Sequence, residues 1–341
     1  MEYINEINIS EAIIHILDNN SDGPVLNKYS LELTEEVYIF IFKHIQRCLR
    51  DEELKYAKFT EEKNIVKEIA YEYLNGENNL INVSQELAKQ MFRLMRSKGS
   101  IPSCDLLTVG FTTEYGPFLG IFKMDYIKSY MHNVESINGE VGINIVPQHT
   151  GLPSSGAKIK KCAFIKGSSS TNEYDLLVMD KHNKKISEEK EYGANYFIDN
   201  YLGCKIVIND RDNTKNFMRA TEVFIQRYLN EDATKAEMLR EQVREKLIDK
   251  DNINIEDIAN IMCDYKESYL LHMTTNCENE FEVDKKYVEK KLKKIRLKVD
   301  RDIDISISQE AYSNQSKFEV IKNDDGSINM VIKNIQNYVE K

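Results

Sequence analysis

"CDLLTVGFTTEYGPFLGIFKMDYI", Cys104 to Ile127, sets the fold class. Two apolar runs flank "TTEYG", whose glycine and polar residues suit a tight connection between antiparallel strands. Further runs follow: "GEVGINIVPQ" (Gly139 to Gln148), "AKIKKCAFIK" (Ala157 to Lys166) and "YDLLVMDK" (Tyr174 to Lys181). No long helix-period segment separates them, which favours antiparallel pairing. The expectation is a central antiparallel sheet built from these five runs.

Helix-period segments surround it. Upstream, "INISEAIIHIL" (from Ile7) and "PVLNKYSLEL" (from Pro24) predict an opening hairpin around "DNNSDG". Helices are then expected from Thr34, from Thr60 to Gly76, and from Ser84 to Gly99. Thr34 can cap its helix, with Glu35 and Glu36 placed where the dipole favours negative charge. Downstream of a short amphipathic segment (Ala194 to Cys204), helices are expected over Arg211 to Leu229, Asp232 to Lys250 and from an Asn254 cap. A basic helix, "VDKKYVEKKLKKI", follows from Val283. The chain ends in alternating "DIDISIS" and a hairpin turning at Asp325 and Gly326. The fold class is α+β: a central antiparallel sheet with packed helices, a helical middle segment and a C-terminal β-hairpin. The expected domains are 1–208, 209–283 and 284–341.

The chain has 341 residues, 41% apolar and 30% charged, with net charge −10. No apolar run reaches membrane-spanning length, and "MEYINEINIS" lacks the basic and apolar regions of a signal peptide. A cytoplasmic location is expected. Cys48, Cys104, Cys162, Cys204, Cys263 and Cys277 lie far apart without a C-x-x-C pair, and read as reduced thiols rather than a zinc site. No cofactor or metal is expected.

Several motifs fail on inspection. "KGSSS" at Lys166 lacks the second glycine and the Lys-Ser or Lys-Thr of a phosphate loop, and a strand follows where a helix is needed. "DNNSDG" imitates a calcium loop, but Tyr29 stands where the bidentate glutamate belongs. Asp175 or Asp180 followed by Glu188-x-Lys190 resembles the carboxylate set of a metal-dependent nuclease. "ISEEKEYG" has little strand character, so a solvated acidic turn is the plainer reading. The six histidines are isolated and suggest no triad.

Basic clusters are more informative. "KKYVEKKLKKIRLK" gathers Lys285, Lys286, Lys290, Lys291, Lys293, Lys294, Arg296 and Lys298 against the single Glu289. On a helix, Lys286, Lys290, Lys293 and Lys294 would share a face. A second group is Lys158, Lys160, Lys161 and Lys166 on the strand before the Gly-Ser loop, where alternation would put Lys158 and Lys160 on one face. The third, Arg211, Lys215 and Arg219, is spaced by four along one helix. Lysine–phosphate contacts of this kind give salt-sensitive binding with little sequence preference.

The order of segments resembles the bacterial 37-kDa nucleoid-associated protein family. The blocks that carry the likeness are "AFIKG", "NYFIDNYLGC", "NDRDNTKNFMRA" with its long helix, "PFLGIFKMDYIKSYM", "INIVP" and "DISISQEAY…GSINMVIKN". The resemblance implies a cytoplasmic, nucleoid-located, DNA-associated protein with an α+β fold and no catalytic role. One departure is the long excursion from Ser168 to Ala194. The leading expectation is therefore a non-enzymatic protein binding double-stranded DNA through Lys286, Lys290, Lys291, Lys293, Lys294, Arg296, Lys158, Lys160, Lys166, Arg211, Lys215 and Arg219. A homodimer and chromosome-associated proteins are further expected partners. The alternatives are a scaffold that reaches DNA through a partner, favoured by the acidic balance, and the nuclease using Asp175 or Asp180 with Glu188 and Lys190.

Overall fold

The computed structural model describes residues 4–60, 64–137, 139–150, 152, 157–167, 173–181, 196–299 and 302–337. The chain divides into two compact units, 2–207 and 208–341.

The first unit contains β1 (Asn8–Leu17), α1 (Glu35–Leu49), β2 (Lys55–Phe59), α2 (Ile65–Leu74), α3 (Leu80–Ser97), β3 (Cys104–Thr113), β4 (Gly116–Asp125), β5 (Ile127–Ile137), β6 (Glu140–Thr150), β7 (Lys161–Lys166) and β8 (Leu176–Asp180). A π-helix (Tyr196–Leu202) leads into β9 (Cys204–Val207). Among the described residues, seven strands form one sheet in the order β1-β3-β4-β7-β8-β2-β9, with antiparallel pairing throughout. This is the central antiparallel sheet that the alternating runs imply.

Both faces of the sheet are covered. Leu106, Leu119, Ile121, Ala163, Ile165, Leu176 and Val178 share a core with α2, α3 and the π-helix. The intervening positions face the other way, where Cys162 meets Cys48 of α1. That second face also holds Phe111, Phe118, Phe122 and Phe164, in stacked and edge-on contacts 5.5 to 5.9 Å between centroids. Two-sided burial explains why these strands read as near-continuous apolar runs.

The helix starts are set by side-chain caps. Thr34 accepts from Val37 N, Asn64 Oδ1 from Lys67 N at 3.0 Å and Asn79 Oδ1 from Asn82 N at 2.9 Å. The second and third helices thus begin at Ile65 and Leu80 rather than at Thr60 and Ser84. Asn64 also donates to Leu202 O (2.6 Å) and Gly203 O (3.0 Å), tying α2 to the end of the π-helix. Gly203 has φ +58°, and a Cβ there would lie 2.6 Å from Asn64 Nδ2.

Two expectations are corrected. The opening hairpin reduces to a single bridge, Ile16 with Val25, and β1 pairs with β3 instead. Pro24 carries no N–H, Asn27 N donates to His15 Nδ1 (3.0 Å) and Tyr29 N to Asn27 Oδ1 (3.0 Å), so the donors a ladder needs are taken by side chains. "GEVGINIVPQ" does not join the central sheet either. β7 occupies the free edge of β4, and β6 pairs with β5 in a separate ribbon. β2, which the sequence did not suggest, fills the sheet between β8 and β9.

The second unit contains α4 (Asp210–Tyr228), α5 (Ala233–Asp249), β10 (Asn252–Asn254), α6 (Ile255–Ala259), α7 (Lys266–Asn276), β11 (Glu280–Glu282), α8 (Lys285–Leu292), β12 (Lys294–Val299), β13 (Ile303–Ser308), α9 (Gln309–Tyr312), β14 (Phe318–Lys322) and β15 (Ile328–Ile332). The strands pair β10 with β11, β12 with β13 and β14 with β15, all antiparallel. One apolar cluster joins the helices, including Phe217, Phe224, Leu247, Tyr269, Met273, Val288 and Leu292. The terminal hairpin turns at Asp325 and Gly326, with Gly326 at φ +84°.

His15 is 1% exposed, and burial pushes its pKa down to about 4. The unfolded chain, near 6.5, therefore binds a proton that the folded chain refuses. Stability should be level above pH 6.5 and fall as pH drops toward 4, by on the order of 3 kcal/mol from this group. Urea melts across pH 4 to 7 should show that slope flattened in His15→Gln, which keeps an acceptor for Asn27 N; an unchanged slope would acquit His15.

Candidate nucleic-acid interface

α8 starts at Asp284, whose carboxylate accepts from Tyr287 N at 2.9 Å. Val288 and Leu292 enter the shared core, and Tyr287 is buried beside them. Lys286 and Lys290 are exposed and Lys291 half-buried. The helix stops at Leu292, so the expected four-lysine helical face is split. Lys293 is the C-cap and Lys294 opens β12. The cause is pairing: Lys294 lies opposite Ser308, Arg296 opposite Ser306 and Lys298 opposite Asp304. Ile295 and Leu297 then face Ile307 and Ile305 on the inner side, and Ile295 is buried.

Strand alternation puts Lys294, Arg296 and Lys298 in an exposed row on the outer side of the β12–β13 ribbon. Ser306 and Ser308 lie across from them on the same side, with Asp304 the one carboxylate of that face. Lys286, Lys290 and Lys293 lead into the row, with Glu289 the one carboxylate of α8. Lys298 belongs to this surface although the helical reading had not made it a ligand. The period-two pattern K-I-R-L-K-V was its signal.

The third group meets the first at Tyr287. The Arg211 guanidinium lies 5.5 Å from that ring's centroid and Lys291 Nζ 5.8 Å. Asp284 N donates to Thr214 Oγ1 (3.1 Å), which fixes α8 on α4. Arg211 is buried, Lys215 half-buried and Arg219 exposed. Arg211 thus works inside the unit, holding the α4–α8 contact by a cation–π interaction.

The second group lies in the first unit. Lys158 and Lys160 are exposed but precede β7, so no strand alternation orders them. Lys166 is half-buried, with Nζ 5.1 Å from the Tyr174 ring centroid and 5.8 Å from that of Tyr115. Lys161 is buried, ion-paired with Asp180, and 4.8 Å from the Tyr196 ring. Asp51 sits nearby. Burial opposes its ionisation, but the Lys181 hydrogen bond, Glu53 N–H and the charges of Lys181 and Lys158 together hold it below the usual range.

Several cations of the second unit have partners within it. Glu237, fully buried, accepts from Arg244 Nη2 (3.1 Å) and from the Tyr312 hydroxyl. Arg240 Nη1 approaches it at 3.7 Å and forks onto Glu222 at 2.9 and 3.0 Å. Burial, then the Glu237 bond and charge, pushes Tyr312 up to about 12. Lys285 Nζ donates to the carbonyls of Leu247 (3.2 Å), Ile248 (2.8 Å) and Lys250 (2.5 Å), at the C-terminal end of α5.

The carboxylates of the nuclease reading have structural partners too. Asp175 Oδ2 accepts from Phe59 N at 2.9 Å, and Asp180 answers Lys161. Glu188 and Lys190 lie outside the described residues. Among the described residues no group of three or more His, Cys, Asp or Glu is placed to hold a metal ion. Nor is any of their helices long and apolar enough to cross a membrane.

A family model described as nucleoid-associated protein YejK matches residues 13–340. The chain belongs to that family. A search of the curated proteins finds no match. The match runs through both units, so the surfaces described above lie inside the region common to the family model.

The roles assigned to the lysines can be separated by stability. Lys285→Ala should lower unfolding stability by about 1–2 kcal/mol, since it strips charged donors from a helix C-terminus. Lys290→Ala and Lys294→Ala should change it by less than about 0.5 kcal/mol. Guanidinium melts of the three variants make the comparison.

Proposed function

We propose that this chain is a non-enzymatic, nucleoid-located protein of the bacterial cytoplasm that binds double-stranded DNA with little sequence preference. The observation that carries the reading is the exposed run of Lys286, Lys290, Lys293, Lys294, Arg296 and Lys298, with only Glu289 and Asp304 among them. Lysine ammonium groups and the Ser306 and Ser308 hydroxyls suit phosphate oxygens and carry no base code. Family membership supports the same reading. Lys215 and Arg219 extend the surface along α4, while Lys158, Lys160 and Lys166 form a separate, weaker candidate in the first unit. Two copies acting together would double the number of phosphate contacts.

A second reading keeps one specific observation in its favour. The net charge of −10 suits a scaffold that reaches DNA through a chromosome-associated protein. The two readings differ in salt dependence. Direct binding by the six cations implies a slope of log K against log salt near −5. Fluorescence anisotropy on a mixed-sequence duplex, from 50 to 300 mM salt, measures it. The variant Lys290→Glu, Lys294→Glu, Arg296→Glu, Lys298→Glu should lose at least about 100-fold in affinity while keeping its melting temperature. Affinity flat with salt, or undiminished in the variant, would sink the direct-contact reading.

A further inference from the structure

The β5–β6 ribbon has two unlike faces. Its register places Tyr130 opposite Pro147, His132 opposite Ile145, Val134 opposite Ile143 and Ser136 opposite Val141, so these residues share one face. Tyr130, Val134, Val141, Ile143 and Ile145 are 63%, 58%, 78%, 68% and 78% exposed. The other face closes on itself: Asn133 Nδ2 donates to Glu135 Oε1 (2.6 Å) and Asn144 Nδ2 to Glu135 Oε2 (3.2 Å). Polar groups are thus satisfied within one chain, while the apolar face is open. β5 and β6 pair only with each other among the described residues. An isolated two-stranded ribbon is marginal in water, and strict alternation is the pattern of a strand covered on one side. Contiguous apolar patches of a few hundred Å² on a protein surface are often functional.

Charge and area select the occupant. Between Tyr130 and Pro147 the only charged residues are Glu135 and Glu140, both on the polar face by alternation. Over these positions the open face therefore has no lysine or arginine for DNA phosphate, and His132 is its one side chain able to carry positive charge. It also brings no carboxylates together when it meets itself, as a two-fold contact requires. At roughly 100 Å² of apolar surface per large side chain, the exposed fractions leave about 350 Å² open in each copy. Two faces together cover about 700 Å², the apolar share of a ~1,200 Å² interface, where stable complexes begin.

We propose that two copies of this chain dock ribbon on ribbon through the Val134–Val141–Ile143–Ile145 face. The proposal rests on the two-copy reading above and names its surface. Sedimentation equilibrium of the full chain from about 1 to 100 µM tests it. The unaltered protein should approach twice its 39.7 kDa mass. Ile143→Asp with Ile145→Asp should weaken the dimer at least about 100-fold, because the charges enter the covered centre. Its circular dichroism and melting temperature as a monomer should stay native. Glu140→Lys, on the opposite face, should leave the dimer intact.

The two failures are distinct. An unaltered chain that stays monomeric throughout overturns the two-copy reading and the ribbon contact together. A dimer undiminished by the paired aspartates overturns the ribbon contact alone. If the aspartate variant misfolds, hydrogen exchange of the unaltered chain decides. Protection of the Tyr130 to Pro147 amides that rises with concentration supports the contact, and protection independent of concentration refutes it.

Discussion

Burial of the central sheet on both faces is the constraint that organises the first unit. β3 is buried at eight consecutive positions, Cys104 to Phe111. Any ionisable side chain in such strands must find its counter-charge inside. Lys123 pairs with Asp125 and donates to Pro102 O at 3.1 Å; Lys161 pairs with Asp180 under the Tyr196 ring. Removing one member of such a pair leaves a buried charge and costs about 3–5 kcal/mol. The fold therefore takes Lys161 out of the pool of phosphate ligands and Asp180 out of the pool of metal ligands. What remains of that cluster is Lys158 and Lys160, outside the strand, and the half-buried Lys166 at its end.

The second unit sorts its charges by the same rule. Arg211, Arg240 and Arg244 have rings or carboxylates as partners, and Lys285 has the end of α5. Each joins elements that apolar packing alone would not fix. The Glu237 node, for example, brings Tyr312 of α9 onto α5. Subtracting these internal cations leaves a smaller surface than the sequence offers, but a more continuous one. The α8–β12 junction is what gives it continuity. A helix carried through to Ile295 would have kept Lys286, Lys290, Lys293 and Lys294 on one face, but Ile295 would have lost its partner Ile307 in β13.

How much of this was legible follows from the range of each interaction. The sheet strands, α4, α5, the Asn254 cap and the terminal hairpin are local patterns, and periodicity reads them. The missing hairpin was not readable, because His15 takes the Asn27 N–H twelve residues away. β2 was missed because "KYAKF" is too short to show a period, and only its neighbours β8 and β9 make it a strand. At the candidate site, the lysines were visible and their partners were not. Arg211 with Tyr287, 76 residues apart, and Lys285 with the α5 carbonyls are contacts of the folded chain. Composition cannot separate a structural lysine from an exposed one. The β5–β6 runs were legible as strands but were misplaced, since alternation reports that one face is covered without reporting by what.

The overall charge of −10 bears on the proposed DNA contact less than its size suggests. At physiological ionic strength charges more than about 8 Å apart are largely screened, so the carboxylates of distant surfaces act mainly on the rate of encounter. Affinity is set where phosphate oxygens touch cations and release their counterions. Along β12, successive outward residues are about 6.7 Å apart, and long lysine stems blur that spacing further. Five of the six cations of the proposed surface are lysines, compact and strongly hydrated, which suit phosphate as point charges. Arg296 alone has the planar fork that reads guanine well. On the proposed reading, a surface so composed would grip a polyanion without selecting its sequence.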